Sequence, residues 1–210
     1  MDSIYKSDTK RVFLTFDDGP SPVTSKILDI LNQENVKATF FILGSNVDSR
    51  KDVVKRMYEE GHYLANHGYS HTYSKIYSSP QSVLDEYNEC NDKVKNAIEV
   101  PDYNSHLFRF PGGLAGGKYA EIKKEAKELL LQNNIVNVDW NALTGDAETN
   151  NLSVEFEMTR LTETMGSKNS LVILMHDAAA KSVTADALPQ IIAKLKEEGY
   201  EFKNFYDIIK

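Results

Sequence analysis

Cysteine is almost absent. The 210 residues hold one, Cys90, so no disulfide can form within the chain and no cysteine cluster can hold a metal. Cys90 lies in EYNECNDKV, a helical-looking stretch where it reads as a packing residue. Such scarcity fits a reducing compartment, and equally an extracellular bacterial protein built without disulfides. Long apolar runs are missing too. None approaches the roughly 20 residues of a membrane-spanning helix, so no membrane contact is expected. The opening MDSIYKSDTK is polar and is not a signal peptide, which suits a cytoplasmic protein, or the mature part or an excised domain of a longer one. Positive charge is short: 24 Lys and Arg stand against 31 Asp and Glu, a net charge of -7. With no basic excess to neutralise phosphates, the balance argues against general nucleic-acid binding. There is no internal repeat and no low-complexity linker.

What is present is an ordinary globular composition, 41% hydrophobic and 26% charged, long enough to bury a core as one domain over residues 1–210. Strand-like and helix-like stretches alternate. RVFLTF (11–16), ATFFIL (38–43), HYLANH (62–67), HLFRFP (106–111), IVNVDW (135–140) and SLVILMH (170–176) read as strands. Residues 21–35, 49–61, 80–100, 117–134, 152–165 and 184–200 read as helices, with Pro189 a local distortion in the last, and the tail ends in a short helix. Such alternation predicts a parallel α/β architecture of six or seven strands. The polar residues fall at strand ends: Asp17 and Asp18, His67, Arg109, Asp139 and Trp140, and His176. A closed or nearly closed barrel brings all of them to one mouth, which favours a barrel over an open sheet.

TFDDGP places two carboxylates, Asp17 and Asp18, side by side, which costs free energy unless something compensates the charge. In NHGYSH, His67 and His71 are four residues apart, the spacing at which one face of a helical turn offers two imidazoles to one divalent ion. An arbitrary HxxxH is more often a solvated or packing pair. Here the pair follows a strand end and a carboxylate pair follows another, and two His with one carboxylate make a common open metal site. One Asp could then ligate the ion, whose charge tolerates the other.

TFDDGP, HGYSH, FRFPGG and LMHD, in this order and spacing, resemble the polysaccharide deacetylases, also known as the NodB-homology domain or family-4 carbohydrate esterases. The resemblance spans roughly residues 11–208 and looks closest to Gram-positive peptidoglycan N-acetylglucosamine deacetylases. It implies a distorted (β/α) barrel of about seven strands and one divalent ion, usually zinc, with cobalt or another ion an alternative. It implies Asp18, His67 and His71 as ligands, Asp17 as general base and His176 as the acid for the departing amine. Arg109 would pair with Asp17, and a backbone N–H near Gly112 would hold the oxyanion. Pro111 and Gly112 would shape that loop, and Leu174 would line the acetyl-methyl pocket or simply pack in the core. An N-acetylated polysaccharide substrate such as peptidoglycan or a chitin-like polymer, a monomer, and an extracellular or wall-associated location are further expectations. An O-acetyl esterase and a non-catalytic carbohydrate-binding barrel are the competing readings; the second is opposed by the presence of base, ligands and acid together.

Three departures from the family pattern stand out. Gly68 follows the first histidine where Ser or Thr often braces the loop, with Tyr69 and Ser70 as compensation. Gly112 stands where an aromatic often walls the groove. VDWNALTGDA offers two registers for the aspartate that orients the acid histidine: Asp146, with Trp140 as a groove wall, or Asp139. Asp186 is a weaker third candidate. Tyr69, Tyr73 and Tyr77 form either a sugar-stacking platform or loop packing. His62 and His106 read as structural or solvated, and the lysines from Lys118 to Lys127 as a solvated face.

Overall fold

The computed structural model describes residues 2–208. After a 3-10 turn at Asp2–Tyr5 come β1 (Arg11–Asp17), α1 (Pro22–Gln33), β2 (Thr39–Ile42), α2 (Gly44–Val47), α3 (Lys51–Glu59) and β3 (Tyr63–Asn66). The middle of the chain forms α4 (Tyr73–Ile76), α5 (Pro80–Ile98), β4 (Leu107–Phe108), α6 (Ala120–Gln132), β5 (Val136–Asn137) and β6 (Ala142–Leu143). The last part forms α7 (Val154–Met165), β7 (Ser170–His176), α8 (Ser182–Glu197), β8 (Glu201–Lys203) and a 3-10 turn at Phe205–Asp207. The strands pair in the order β5-β4-β3-β2-β1-β7-β6, and β8 joins β1. Every pairing is parallel. Among the described residues nothing pairs β5 with β6, so the sheet curls into a barrel that stays open on that side. This is the distorted (β/α) barrel expected from the sequence.

β1 is the axis of the sheet. It pairs along its full length with β7, from Arg11 opposite Ser170 to Asp17 opposite His176. Its other edge is divided: β8 takes Arg11–Phe13 and β2 takes Thr15–Asp17. Side chains alternate faces along a strand. Val12, Leu14 and Phe16 therefore join Leu171, Ile173 and Met175 under α1 and α8 in the largest apolar cluster. Phe13 points the other way and meets Phe41, Tyr63, Ala65, Leu107, Val138 and Val172 in the barrel interior. A third cluster packs Phe108 and Phe110 beneath α5 and α6.

Helix starts follow local chemistry. Ser21 caps α1, its Oγ accepting the Val23 N–H at 3.0 Å, with Pro22 in the first turn, where the missing N–H costs nothing. Ser79 and Ser153 cap α5 and α7 in the same way. Pro189 sits inside an α8 that runs on through it.

Several sequence expectations are corrected. The strands read over 106–111 and 135–140 shrink to two residues each, because the chain beyond them turns into site loops. The helix read over 117–134 begins only at Ala120, after the glycine-rich turn. α2, α4, β6 and β8 were not expected; all are four residues or fewer, too short to show a periodicity. The tail is β8 followed by the 3-10 turn, and its last two residues lie outside the described residues.

Leu14 is completely buried in the central strand. Leu14→Ala should cost about 2–5 kcal/mol, as buried Leu→Ala changes do, read as a lowered urea midpoint at unchanged slope.

Candidate active site

Inward parity places the polar residues. Thr15 and Asp17 continue the Phe13 face of β1, His67 continues Tyr63 and Ala65 beyond β3, Arg109 continues Leu107 beyond β4, and Leu174 and His176 continue Val172 in β7. All lie at the C-terminal end of the sheet, so strand geometry alone gathers them at one mouth.

His67, His71 and Asp18 converge there. Asp18 Oδ1 lies 3.5 Å from His67 Nε2 and 3.4 Å from His71 Nε2. That oxygen is buried and accepts no hydrogen bond. One potential ligand atom from each residue lies within 4.8 Å of the others, the one such grouping among the described residues. His67 Nδ1–H donates to the Arg109 carbonyl at 2.8 Å, which fixes the tautomer and turns the Nε2 lone pair toward Asp18. Burial pushes the His67 imidazole down to about 3, so it stays neutral and able to ligate. An orphaned carboxylate oxygen facing two imidazoles, one with an oriented lone pair, fits a divalent cation.

The histidine pair is not on a helical turn, as its spacing suggested. His67 to His71 is a loop, with Gly68 at φ +83° and His71 at φ +53°. Glu86 of α5 holds that loop. Its Oε2 accepts the N–H groups of Tyr69 (2.8 Å) and Ser70 (2.6 Å), and its Oε1 accepts the Ser70 hydroxyl at 2.6 Å. Burial works against this carboxylate, but the hydrogen bonds from Ser70 and Tyr69 outweigh it and hold it below its usual value. The loop is braced from the neighbouring helix. On the other side of the cluster, Asn46 Nδ2 donates to the Asp18 carbonyl at 3.0 Å. Asp18 needs the support, since its φ is +75°.

Asp17 has a different environment. Its Oδ1 accepts Arg109 Nη1–H at 2.7 Å, and its Oδ2 lies 3.8 Å from His67 Nε2. Burial raises its pKa and the Arg109 charge opposes the rise. Arg109 is itself fully buried and donates to Thr15 Oγ1, the Val138 carbonyl and the Asp139 carbonyl. Its guanidinium lies 3.9 Å from the Phe41 ring centre and 5.6 Å from that of Trp140.

The choice of orienting aspartate falls on Asp146. Its Oδ1 accepts His176 Nδ1–H at 2.8 Å, and its Oδ2 accepts the His176 backbone N–H at 2.7 Å and the Thr184 hydroxyl at 3.0 Å. Burial disfavours the imidazolium, but the Asp146 hydrogen bond and the charges of Asp146, Asp17 and Asp18 prevail and push His176 up to about 9. Asp139 is occupied elsewhere, accepting the Leu114 N–H at 3.1 Å. Asp186 pairs with Lys26 on the surface.

The Pro111–Leu114 loop is pinned at four points. The Tyr77 hydroxyl donates to the Pro111 carbonyl (2.7 Å), Lys123 Nζ to the Gly113 carbonyl (2.6 Å), the Gly113 N–H to the Phe110 carbonyl (2.7 Å), and the Leu114 N–H to Asp139. Gly112 sits at φ +75°, and a Cβ there would lie 2.5 Å from the Tyr73 hydroxyl. Glycine is what lets Tyr73 close over this loop.

These contacts separate the three tyrosines and correct the solvated reading of Lys123. Tyr77 is buried packing, not a sugar platform. Lys123 is buried, not part of a solvated face. Tyr69 packs its ring against Gly44 and under the Lys75 ammonium. Tyr73 is the exposed aromatic beside His71, with ring centres 5.6 Å apart. His62 is structural, its Nδ1 accepting the Ala38 N–H, and His106 is half-buried with Nδ1 against the Asn134 carbonyl. Leu174 is inward-facing, two residues before His176 at the end of β7. Glu86 and Lys123 were missed. The signal for Glu86 was a carboxylate inside the apolar stripe Val83, Tyr87, Cys90, Val94 of α5.

A curled parallel (β/α) sheet carrying an Asp-His-His cluster between a buried Asp–Arg pair and an Asp–His pair defines a metal-dependent hydrolase. The chain belongs to the polysaccharide deacetylase family, a metal-dependent family of enzymes: the family profile described as Polysaccharide deacetylase matches residues 5–132. YheN of Bacillus subtilis (strain 168), whose name assigns it to the polysaccharide deacetylases, is 37% identical over 92% of this chain and 66% of its own length. A peptidoglycan-N-acetylglucosamine deacetylase of Bacillus cereus is 33% identical over 95% of this chain and 71% of its own. The chain thus spans about two thirds of the length of these relatives. The structure of a Streptococcus mutans CE4 esterase superposes with a TM-score of 0.88 at 35% identity, covering 97% of this chain and 88% of that one.

Glu86→Ala should leave the fold intact by circular dichroism but weaken zinc binding roughly ten- to a hundredfold, the usual effect of removing an outer support of a metal site. Unchanged zinc affinity in a titration would show that the loop holds its shape without this clamp.

Proposed function

We propose that this chain is a metal-dependent N-deacetylase of amino-sugar polymers, with peptidoglycan N-acetylglucosamine as its substrate. It would act as a monomer, on the cell wall or outside the cell, with residues 1–210 as one catalytic domain. The carrying observation is that Asp17 and His176, at facing register positions of β1 and β7, sit beside the Asp18-His67-His71 cluster in opposite electrostatic settings. The similarity to named peptidoglycan deacetylases supports the substrate.

Asp18, His67 and His71 would hold the ion. Zinc suits two imidazoles and a carboxylate, and cobalt suits the same set. When bound, it supplies the Lewis acidity that makes water a nucleophile near neutral pH and polarises the acetamide carbonyl.

The remaining steps belong to the side chains. Asp17, ionised and held by Arg109, takes the proton of the attacking water. The Gly112 N–H, in a loop fixed by Tyr77, Lys123 and Asp139, donates to the oxyanion as the carbonyl carbon becomes tetrahedral. Leu174 backs the acetyl methyl, and Trp140, with Pro111, walls the groove. His176 carries its proton on the nitrogen not bound to Asp146 and gives it to the departing amine. Acetate and a free amino sugar leave. An imidazolium stabilised by Asp146 is suited to a poor amine leaving group; an ester would not need it.

Acetate release should be measured from acetylated peptidoglycan, chitin oligomers and acetylated xylan, with metal-stripped and zinc- or cobalt-reloaded protein. Metal-dependent release from the N-acetyl polymers is expected. Asp17→Asn should lower it roughly a hundred- to ten-thousandfold with zinc still bound. Release from xylan alone would replace this reading with the esterase. No release from any of the three, with metal bound, would favour a binding barrel.

The pH profile provides a second test. His176 must be protonated to act, so activity should fall as pH rises through about 9. Asp146→Asn removes the charge and hydrogen-bond acceptor that raise that value, so the alkaline limb should move to lower pH by about one unit or more. An unmoved limb would remove His176 from the acid role.

A further inference from the structure

The chain has five arginines, and four of them have partners. Arg11 donates to Ser170 and to backbone carbonyls, Arg56 pairs with Glu60 and Asp29, Arg109 with Asp17, and Arg160 with Glu148 and Glu163. The guanidinium of Arg50 makes no hydrogen bond, ion pair or ring contact with any described residue. It is also not a stray surface group. It is half-buried and lines a cleft of about 410 Å³ that Asp18 and His71 also line.

The acids nearest in sequence leave it free. Asp48 is held by Lys93 and Lys51, and Asp52 forms no ion pair with it. Ser49 and Asn46 form part of its wall, as do Ala178 and Ala179. The Asn46 amide is turned to the Asp18 carbonyl, which ties this wall to the ligand loop. The cleft therefore holds part of the metal-binding cluster together with a directional cation that has no bonded partner. In a chain of net charge -7, a guanidinium left unpaired inside a cleft suits a planar oxyanion, which it can bind through two parallel hydrogen bonds.

We infer that this cleft is a subsite for a carboxylate-bearing substituent on the sugar next to the one that is deacetylated, with Arg50 as the group that binds the carboxylate. The inference rests on the deacetylase reading and sharpens it. A chitin-like chain is neutral at every position. A peptidoglycan strand alternates the N-acetylglucosamine with a lactyl-ether sugar, which shows a lactyl carboxylate when bare and peptide carboxylates when substituted. Arg50 would thus separate these two polymers.

The test measures binding and turnover separately. Binding of peptide-bearing strands, peptide-free strands and chitotetraose is measured on zinc-loaded protein carrying Asp17→Asn, so that nothing is consumed, with Arg50 intact, as Arg50→Gln or as Arg50→Lys. Acetate release from the same substrates is measured with Asp17 present. Arg50→Gln should weaken binding of the anionic strands roughly ten- to a hundredfold, the range for hydrogen bonds to a charged group, and leave chitotetraose unchanged. Arg50→Lys should restore part of the loss, and the effect should shrink as salt is raised. Dependence on peptide-free strands assigns the lactyl carboxylate, and dependence on peptide-bearing strands alone assigns the stem peptide. Equal binding with and without Arg50, or equal loss for anionic strands and chitotetraose, overturns the subsite. Arg50-dependent binding without acetate release supports the subsite and overturns the deacetylase reading instead.

Discussion

The buried guanidinium of Arg109 is the constraint on which the site depends. It donates to Asp17, Thr15, Val138 and Asp139, and its own backbone carbonyl accepts from His67. One residue therefore ties together the ends of β1, β3 and β4 and the segment after β5. A charge this deep is tolerable only when paired and fully hydrogen-bonded, and removal of one partner from such a pair costs about 3–5 kcal/mol. Asp17 is thus structural as well as chemical. Without it Arg109 is an uncompensated cation in the barrel; without Arg109, burial alone governs Asp17 and favours its protonated form.

That pair also answers how two adjacent aspartates can share one loop. Asp17 is the last inward position of β1 and meets Arg109. Asp18 leaves the strand in the left-handed region, so its carboxylate swings across to the two histidines. The neighbours are separated by backbone geometry into different electrostatic compartments, one neutralised by a guanidinium and one built for a metal ion. Asp177 stands behind the same loop. It is buried, bonded to Thr24, and so close to Gly19 that a Cβ there would lie 2.0 Å from its carboxylate. Burial pushes it up to about 7, so the third carboxyl of the region adds less negative charge than its formula implies.

Much of this was legible in the sequence because strand parity and motif order carry it. Asp17, Asp18, His67, Arg109 and His176 come together as the motifs suggested, since each lies at or just beyond a strand end, and His71 and Asp146 join them from the loops that follow β3 and β6. What was not legible depends on side chains arriving from helices. Nothing in HGYSH reveals that its brace is Glu86, on a helix that starts nine residues later. Lys123 looked like one of several solvated lysines, because its burial is decided by where the glycine-rich turn places α6. Loop spacing favoured Asp146 over Asp139 without deciding between them, since the two-residue strand β6 lies between them and is too short to announce itself. The roles of Tyr69, Tyr73 and Tyr77 stayed open for a similar reason: the four-residue helices α2 and α4 beside the loop decide where each ring goes.

The two flanks of the mouth differ in kind, and the difference bears on substrate. On one side, Tyr73 and Trp140 stand over a glycine-rich floor, where Gly112 and Gly113 have no room for a Cβ beneath those rings. Aromatic faces over bare backbone suit the apolar faces of pyranose rings. Beside Asp18 and His71 lies the cleft that Arg50 lines, where Ser21, Asn46 and Ser49 offer polar groups and, among the described residues, no Phe, Tyr or Trp ring is present. A polymer of one repeated neutral sugar would present the same chemistry to both flanks. A strand in which a neutral acetamido sugar alternates with an acid-bearing one presents different chemistry to each, which is the distinction that the proposed Arg50 subsite would read.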